Sequence, residues 1–209
     1  MQDKHGASIH LDIPFYRQHY DFTCGPASLM MAMKYLDNNV CTGKNLEIDI
    51  WREGNLLAVL GTGRYGLAYS AAVRGFSARV TSNTGGLGFV EKFVPPLDGP
   101  AMQLLREQFR ERRSRCRKSG VRERLQTITG KTIRESLFSN NVPLVVTNSL
   151  FYSKEDLPHW IAVTGTDDKF LYFSNPSDVR PKKRKIGLPG LQEFVGYHGD
   201  QSLVEIWRE

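Results

Sequence analysis

The order of the secondary-structure signals constrains the fold of this chain most. Helical periodicity dominates the first half, and β-rich segments separated by turn residues follow from Pro143 onward. These segments are Leu144 to Thr147, Trp160 to Gly165, Phe170 to Ser174 and Leu203 to Trp207. Helices and strands that are segregated along a chain are typical of an α+β fold. We therefore predict an antiparallel sheet from the second half packed against helices from the first.

The best-defined helix begins at or just before Cys24. Apolar residues recur there at intervals of three and four up to Leu36, and Pro26 is tolerated only in the first turn of a helix. Further helices are predicted within 45–60, from about Leu67 to Arg74, around Met102, Leu105 and Phe109, and over Lys131 to Ser139. Short strands are predicted for Ile9 to Pro14 and for Phe76 to Thr81.

Length and composition indicate one globular domain over residues 1–209. The chain is 40% apolar and 24% charged, which excludes wholesale disorder and collagen-like structure. Its longest apolar runs, of about five residues, are far below the roughly 18 residues that span a bilayer. It shows no secretory signal, and the cysteines Cys24, Cys41 and Cys116 are odd in number and widely spaced. We expect a cytoplasmic protein without a membrane span.

The net charge of +6 is concentrated in two basic stretches. Arg106 to Arg134 carries eleven basic residues against three glutamates, and Arg180 to Lys185 adds five more. Neither stretch has the interleaved aromatic residues of single-strand nucleic-acid binders, so we do not expect nucleic acid as a partner. Two interpretations of Arg106 to Arg134 stay open: a solvated helix face or hairpin, and a surface for an acidic partner.

Cys24 is a candidate nucleophile because it lies at the start of a predicted helix. Unpaired backbone N–H groups and the helix dipole stabilise a thiolate there and lower the pKa from the free value of about 8.5. Gln18 precedes Cys24 by six residues. Its side-chain amide can fold back and, with the Cys24 N–H, hold an oxyanion. A buried structural cysteine is the alternative.

His159 and Asn175 flank a predicted β-hairpin. His159 lies at the start of a strand, so that its ring emerges at a sheet edge. The chain turns at Asp167 and Asp168 and brings Asn175 back towards His159. The amide oxygen of Asn175 can then accept the imidazole N–H and orient a general base. Taken singly, a core histidine and a turn asparagine before proline are the alternatives.

These motifs together resemble a known family. They run from Ile13 to Gln18, from Cys24 to Leu29, from Pro158 to Gly165, and through Asn175-Pro176. The pattern resembles the bacteriocin-processing double-glycine peptidase family and its stand-alone peptidase-like relatives, which are papain-like cysteine peptidases. Its specific parts are Gln-x5-Cys-Gly-Pro and Pro-His-Trp, and the resemblance covers most of the chain.

The resemblance implies a role for each site residue. Gln18 is the oxyanion residue, Cys24 the nucleophile, His159 the general base and Asn175 the residue that orients it, and no cofactor is needed. The family usually has Asp-Pro where this chain has Asn175-Pro176. Papain-like enzymes elsewhere use asparagine, so the difference is compatible with activity.

We therefore expect a papain-like cysteine peptidase that hydrolyses a peptide or isopeptide bond through a Cys24 thioester. Two alternatives stay open. One is an acyltransferase or transpeptidase that uses the same thioester, and the other is a catalytically weak peptidase-like module that binds an acidic partner. The segment at about 95–130 is predicted to be a basic helical elaboration on the surface near the substrate groove, because unpaired arginine and lysine are almost never buried.

Two other patterns suggest different chemistry. Gly61 to Gly66 matches the dinucleotide-binding GxGxxG, but the acidic residue that a Rossmann unit needs after its second strand is missing. A metal site would draw on His10, His19, Cys24 and His159, yet no pair has i,i+4 or Cys-x-x-Cys spacing. We expect neither a dinucleotide nor a metal.

Overall fold

The computed structural model describes residues 8–56, 59–93 and 98–209. Within them, the helices are α1 (Cys24–Leu36), α2 (Lys44–Gly54), α3 (Arg64–Ala72), α4 (Phe89–Phe93), α5 (Gly99–Lys118), α6 (Gly130–Phe138) and α7 (Leu191–Phe194). The strands are β1 (Ile9–His10), β2 (Asn55–Leu56), β3 (Val59–Thr62), β4 (Ser77–Ser82), β5 (Arg122–Leu125), β6 (Val142–Asn148), β7 (Pro158–Thr166), β8 (Phe170–Ser174), β9 (Arg184–Gly187) and β10 (Ser202–Trp207).

An eight-stranded sheet organises the fold. Its strand order is β5-β4-β10-β6-β7-β8-β9, and β1 pairs with the C-terminal end of β7. Every neighbouring pair is antiparallel except β4 and β5, which are parallel. The predicted α+β fold with a large antiparallel sheet is confirmed. The segregation of helices from strands is incomplete, however, because β4 from the first half lies between β5 and β10.

Helix α1 packs along the middle of this sheet and positions Cys24. It runs along β7 and also contacts β6 and β10, and Ser28 Oγ donates to Trp160 O at 3.2 Å. All residues from Cys24 to Met33 are buried. Truncating a fully buried large apolar side chain costs about 2–5 kcal/mol, so this packing holds the helix firmly. The predicted helix start at Cys24 is confirmed.

Helices α2 and α3 meet through two glycines. A Cβ at Gly66 would lie 2.2 Å from the Gly54 Cα, so a side chain there is incompatible with this packing. The helix predicted within 45–60 ends at Gly54, where the chain turns into the β2–β3 hairpin. The helix predicted from about Leu67 begins three residues earlier, at Arg64. The strand predicted for Ile9 to Pro14 is also shorter, since only Ile9–His10 pairs with β7.

The basic segment at 95–130 is helical only in part. Residues 95–97 lie outside the described residues. Helix α5 packs on α3 and buries Leu105, Phe109 and Cys116. The helix ends at Lys118, and Gly120 follows with a φ of +77°, which favours glycine. The chain then forms β5, an edge strand parallel to β4. Sequence periodicity missed β5 because it is polar and pairs on one side only.

Much of the positive charge on α5 is neutralised within the fold. Arg113 and Arg117 pair with Glu123 of β5 at 2.8 and 3.1 Å. Arg106 pairs with Glu91 of α4, and Arg115 pairs with Glu111 one turn earlier. None of the helices in the described residues is long and apolar enough to cross a membrane.

Candidate active site

The N-terminus of α1 meets the start of β7. Cys24 and His159 are both buried, with 6% and 7% of their surfaces exposed. The backbone N–H of Trp160 donates to Cys24 Sγ at 3.4 Å, across 136 residues of sequence. The cysteine is free, and it lies at the helix end where backbone N–H groups have no intrahelical acceptor. The fold thus brings a helix-terminal thiol to the strand that carries His159.

His159 is held by the next strand of its hairpin. Its Nε2 lies 2.8 Å from Asn175 Oδ1, and this oxygen also accepts from the Ser177 N–H at 2.9 Å. The β7–β8 pairing produces this proximity, as the sequence predicted. Asp167 closes the hairpin instead of contacting His159: it accepts from the N–H groups of Lys169 and Phe170, both at 2.7 Å.

The thiol and the imidazole shift each other's pKa in opposite directions. Burial raises the pKa of Cys24, but the charge of His159 and hydrogen bonds from His159, Trp160 and Gly25 outweigh it, so the pKa is lowered. Burial lowers the pKa of His159, whereas Cys24, Asn175 and the nearby Asp178 raise it, with a net increase. Both shifts favour a thiolate–imidazolium pair.

Gln18 joins this cluster through its neighbours. Its backbone N–H donates to Pro176 O at 3.0 Å, and its Oε1 accepts from Ser177 Oγ at 3.0 Å. Ser177 Oγ in turn lies 3.5 Å from His159 Nε2. The side-chain Nε2 of Gln18 donates one hydrogen to Tyr20 O at 2.8 Å, which leaves its second hydrogen for another acceptor.

A buried carboxylate fixes the segment that carries Gln18. Glu47 of α2 is 0% exposed. It accepts from Tyr16 OH at 2.9 Å, from the His19 N–H at 2.8 Å and from His19 Nδ1 at 2.7 Å, and it also accepts from Thr23 Oγ1. Glu47 was not singled out from the sequence, because a glutamate in an amphipathic helix is usually solvated. Among the described residues, no group of three or more His, Cys, Asp and Glu side chains could hold a metal ion.

A second supporting group packs against the imidazole. The Tyr152 ring meets the His159 ring edge-on at 5.5 Å, and the Arg184 guanidinium lies 5.5 Å from the Tyr152 ring. Arg184 also donates to both oxygens of Asp178, at 2.7 and 2.5 Å. Of these three residues, only Asp178 is close to a predicted site residue in sequence, three residues after Asn175. Tyr152 therefore packs on the ring of His159, and the Arg184–Asp178 ion pair lies behind Tyr152.

A cavity of about 360 Å³ opens beside Cys24. Apolar and aromatic side chains form most of its wall, among them Tyr65, Phe109 and Trp160. Leu60 and Leu157 also line it while remaining 62% and 52% exposed. The GxGxxG stretch from Gly61 to Gly66 covers the end of β3 and the start of α3 and forms part of this wall. Its glycines therefore line the same cavity as Cys24.

Comparison with solved structures finds the same fold in cysteine peptidases. A putative C39-like peptidase from Bacillus anthracis is 12% identical with a TM-score of 0.59, over 97% of this chain and 98% of that chain. A double glycine motif protease from an AMS/PCAT transporter, in complex with the leader peptide, is 14% identical with a TM-score of 0.50, over 95% and 94%. No curated protein matches the chain in sequence.

The family match agrees with the motifs. Residues 13–188 match the model of the Peptidase_C39 like family. This range begins at the Ile13 motif and contains the cysteine, histidine and asparagine that the fold brings together. The resemblance predicted from the Gln-x5-Cys-Gly-Pro and Pro-His-Trp motifs is confirmed, and the chain belongs to the Peptidase_C39 like family.

Proposed function

We propose that this protein is a cysteine peptidase that hydrolyses a peptide or isopeptide bond through an acyl-enzyme on Cys24. The observation that carries the proposal is the placement of the Cys24 thiol on the strand of His159, which is itself held by Asn175, with the thiol pKa lowered and the imidazole pKa raised by each other. A buried thiol without such a partner stays protonated and inert. Here the pair favours a thiolate nucleophile and an imidazolium proton donor.

The first half of the reaction uses this pair directly. The Cys24 thiolate attacks the carbonyl carbon and forms a carbon–sulfur bond, and the negative charge moves to the carbonyl oxygen. The Cys24 N–H and the free amide hydrogen of Gln18 are the proposed donors to that oxygen. The His159 imidazolium then gives its proton to the leaving nitrogen, the carbon–nitrogen bond breaks, and a thioester remains on Cys24.

Water completes the reaction in the second half. His159, now neutral, takes a proton from water while the water oxygen attacks the thioester carbon. The carbon–sulfur bond breaks, the acid product leaves, and the thiolate–imidazolium pair returns. Asn175 keeps the imidazole in position for both proton transfers through its 2.8 Å contact with Nε2.

A peptide is the proposed substrate class. The cavity beside Cys24 has the size and the largely apolar wall that are typical of ligand pockets, and its exposed leucines, Leu60 and Leu157, offer apolar surface to an extended chain. The similar double glycine motif protease was solved with a leader peptide bound, which supports the same class of ligand.

Incubation with a diverse peptide library, followed by mass spectrometry, tests the proposal. We expect cleaved peptides with free carboxyl ends in the wild type and none with Cys24→Ala. Products joined to an added amine would instead indicate the acyltransferase or transpeptidase reaction from the same thioester. No turnover, together with iodoacetamide labelling of Cys24 no faster than that of Cys41 and Cys116, would contradict any enzyme and favour a peptidase-like binding module.

A further inference from the structure

Three buried polar atoms in the wall of the cavity lack a partner. Within the described residues, Thr62 Oγ1, Arg64 Nε and Arg112 Nη1 make no hydrogen bond, and all three residues line the cavity beside Cys24. Arg64 and Thr62 are each 6% exposed. Buried polar groups in folded proteins nearly always have a partner, and each exception calls for an explanation. All three atoms can donate, so the missing partner is an acceptor.

Arg112 differs from four other arginines of α5 in its ion pairing. Arg106, Arg113, Arg115 and Arg117 are all ion-paired with glutamates. Arg112 forms no ion pair with any carboxylate of the described residues, and its Nη2 donates only to the amide oxygen of Asn55, at 3.3 Å. Burial lowers its pKa. A desolvated guanidinium without a counter-charge is costly, which points to an anionic partner that binds from outside.

The acidic residues of the cavity do not neutralise Arg112. Asp200 lies 3.8 Å from Arg64 and is almost fully buried with it. Asp21 also lines the cavity, but it is exposed, where solvent and salt screen its charge. Arg64 is already held by Ser202 Oγ at 3.3 Å and Thr84 O at 3.0 Å, so Arg112 carries the unbalanced charge.

We propose that this cavity binds an acidic side chain of the peptide substrate, with its methylene groups against the apolar wall and its carboxylate on Arg112. Tyr65 and Phe109 provide the apolar contact, and the unpaired Nε of Arg64 lies in the same wall. Cys24 and Arg112 line the same cavity, so the acidic side chain and the reacting thiol share one binding site. This inference rests on the proposed peptidase function and adds a specificity-determining residue, Arg112.

Binding to an inactive variant tests the inference without turnover. Fluorescent hexapeptide pools with glutamate or glutamine at one defined position are titrated against Cys24→Ala by fluorescence anisotropy. At one position, we expect the glutamate pool to bind about tenfold more tightly than the glutamine pool, as for a hydrogen-bonded charge pair. Arg112→Met or Arg112→Gln in the same background should reduce that ratio to about one. Equal binding of the two pools at every position would overturn the inference.

A matched control comes from the same helix. Arg110 is exposed and does not line the cavity, so Arg110→Met removes the same charge and should leave the glutamate preference unchanged. An equal loss in Arg110→Met would show a general effect of helix charge and overturn the assignment to Arg112. A glutamate preference without turnover by the wild type would support this cavity and contradict the peptidase. Turnover without a preference would do the reverse.

Discussion

The surroundings of the two buried cysteines differ in what they do to a thiol. Cys24 begins α1, its Sγ accepts a hydrogen bond from the Trp160 N–H, and the neighbouring His159 lowers its pKa. Cys116 lies in the last turn of α5, and its thiol donates to Tyr65 O at 2.9 Å. Burial raises the pKa of Cys116 to about 12. The same burial acts on Cys24, where the donors and the cation reverse its effect.

Burial by itself raises the pKa of a cysteine and makes it inert. The charges and hydrogen-bonding partners of the thiol decide whether its pKa stays high or is lowered. A helix N-terminus favours a negative charge, and a helix C-terminus opposes one. The two cysteines also face opposite hydrogen-bonding groups, since Cys24 accepts and Cys116 donates. A thiol that accepts is stabilised as a thiolate, whereas a thiol that donates is held protonated. Five experiments break or sharpen this contrast.

Removal of each sulfur should have the most unequal effects. We expect Cys24→Ala to lower kcat/KM by at least about 10³-fold, because nucleophile and base act as a unit. Cys116→Ala should leave kcat/KM within about twofold and cost only about 1 kcal/mol of unfolding free energy, because it touches the core alone. Peptide turnover and the Tm of both variants are the measurements. Near-normal turnover by Cys24→Ala would end the proposed mechanism.

Loss of the imidazole should make Cys24 behave like Cys116. His159→Ala removes the cation and the hydrogen-bond donor that lower the pKa of Cys24. The pKa should therefore rise, and iodoacetamide labelling of Cys24 at pH 7 should fall at least about tenfold. Labelling of Cys116 should not change. Site-resolved mass spectrometry follows each cysteine, and circular dichroism checks the fold. Unchanged labelling of Cys24 would mean that the helix terminus alone activates it.

The pH dependence of turnover should show both shifts. The charge of His159 lowers the pKa of Cys24, and the thiol together with Asn175 raises the pKa of His159. Turnover should therefore rise with pH as the thiolate forms and fall at higher pH as the imidazolium loses its proton. Labelling of Cys24 needs only the thiolate, so it should keep its plateau where turnover falls. A single rising limb that follows an unperturbed thiol would contradict the pair.

Asn175 should have a smaller effect than either member of the pair. In Asn175→Ala the Nε2 contact is lost, and we expect kcat/KM to fall about 10- to 100-fold, at the lower end of general acid–base effects. Asn175→Asp keeps an acceptor, matches the residue that the family usually has, and should retain most activity. If Asn175→Ala equals the wild type across pH, Asn175 is only a turn residue, and Asp178 becomes the candidate that holds the ring.

The smallest effect on activity should come from Glu47, which holds the segment before Cys24. Among the described residues, the segment before Cys116 has no such buried carboxylate. Glu47→Gln weakens four charged hydrogen bonds from Tyr16, His19 and Thr23. We expect a loss of about 1–3 kcal/mol in unfolding free energy and a few-fold fall in kcat. Asp49→Asn, an exposed site on the same helix, is the control and should change stability by less than about 0.5 kcal/mol. Equal effects would mean that burial of Glu47 adds nothing.

Local patterns predicted the parts of the site that local structure builds. The start of α1 follows from helical periodicity behind Cys24, and the proximity of His159 and Asn175 follows from a hairpin. Both depend on near neighbours in sequence, so a single sequence is enough to predict them. The catalytic roles of these residues, and that of Gln18, stay predictions.

Partners from distant segments could not be predicted in this way. The position of β4 beside β10 depends on pairing across more than a hundred residues. Glu47 and Arg112 look like ordinary solvated charges in sequence, and only the tertiary fold shows that one is buried among donors and that the other lines a cavity. The ion pairs of the basic stretch could not be predicted either. Arg106 pairs with Glu91, which lies outside the stretch, and Arg113 pairs with Glu123 across a turn.

The 136-residue separation between Cys24 and the Trp160 N–H has a consequence for when the thiol becomes reactive. During synthesis, Cys24 emerges long before β7 exists, so the nascent chain carries an ordinary cysteine. Contacts at such long sequence separation also form slowly during folding. The activated thiolate is therefore among the last features to appear, after α1 has docked on β7. The rate at which Cys24 is alkylated during refolding should therefore report when α1 docks on β7.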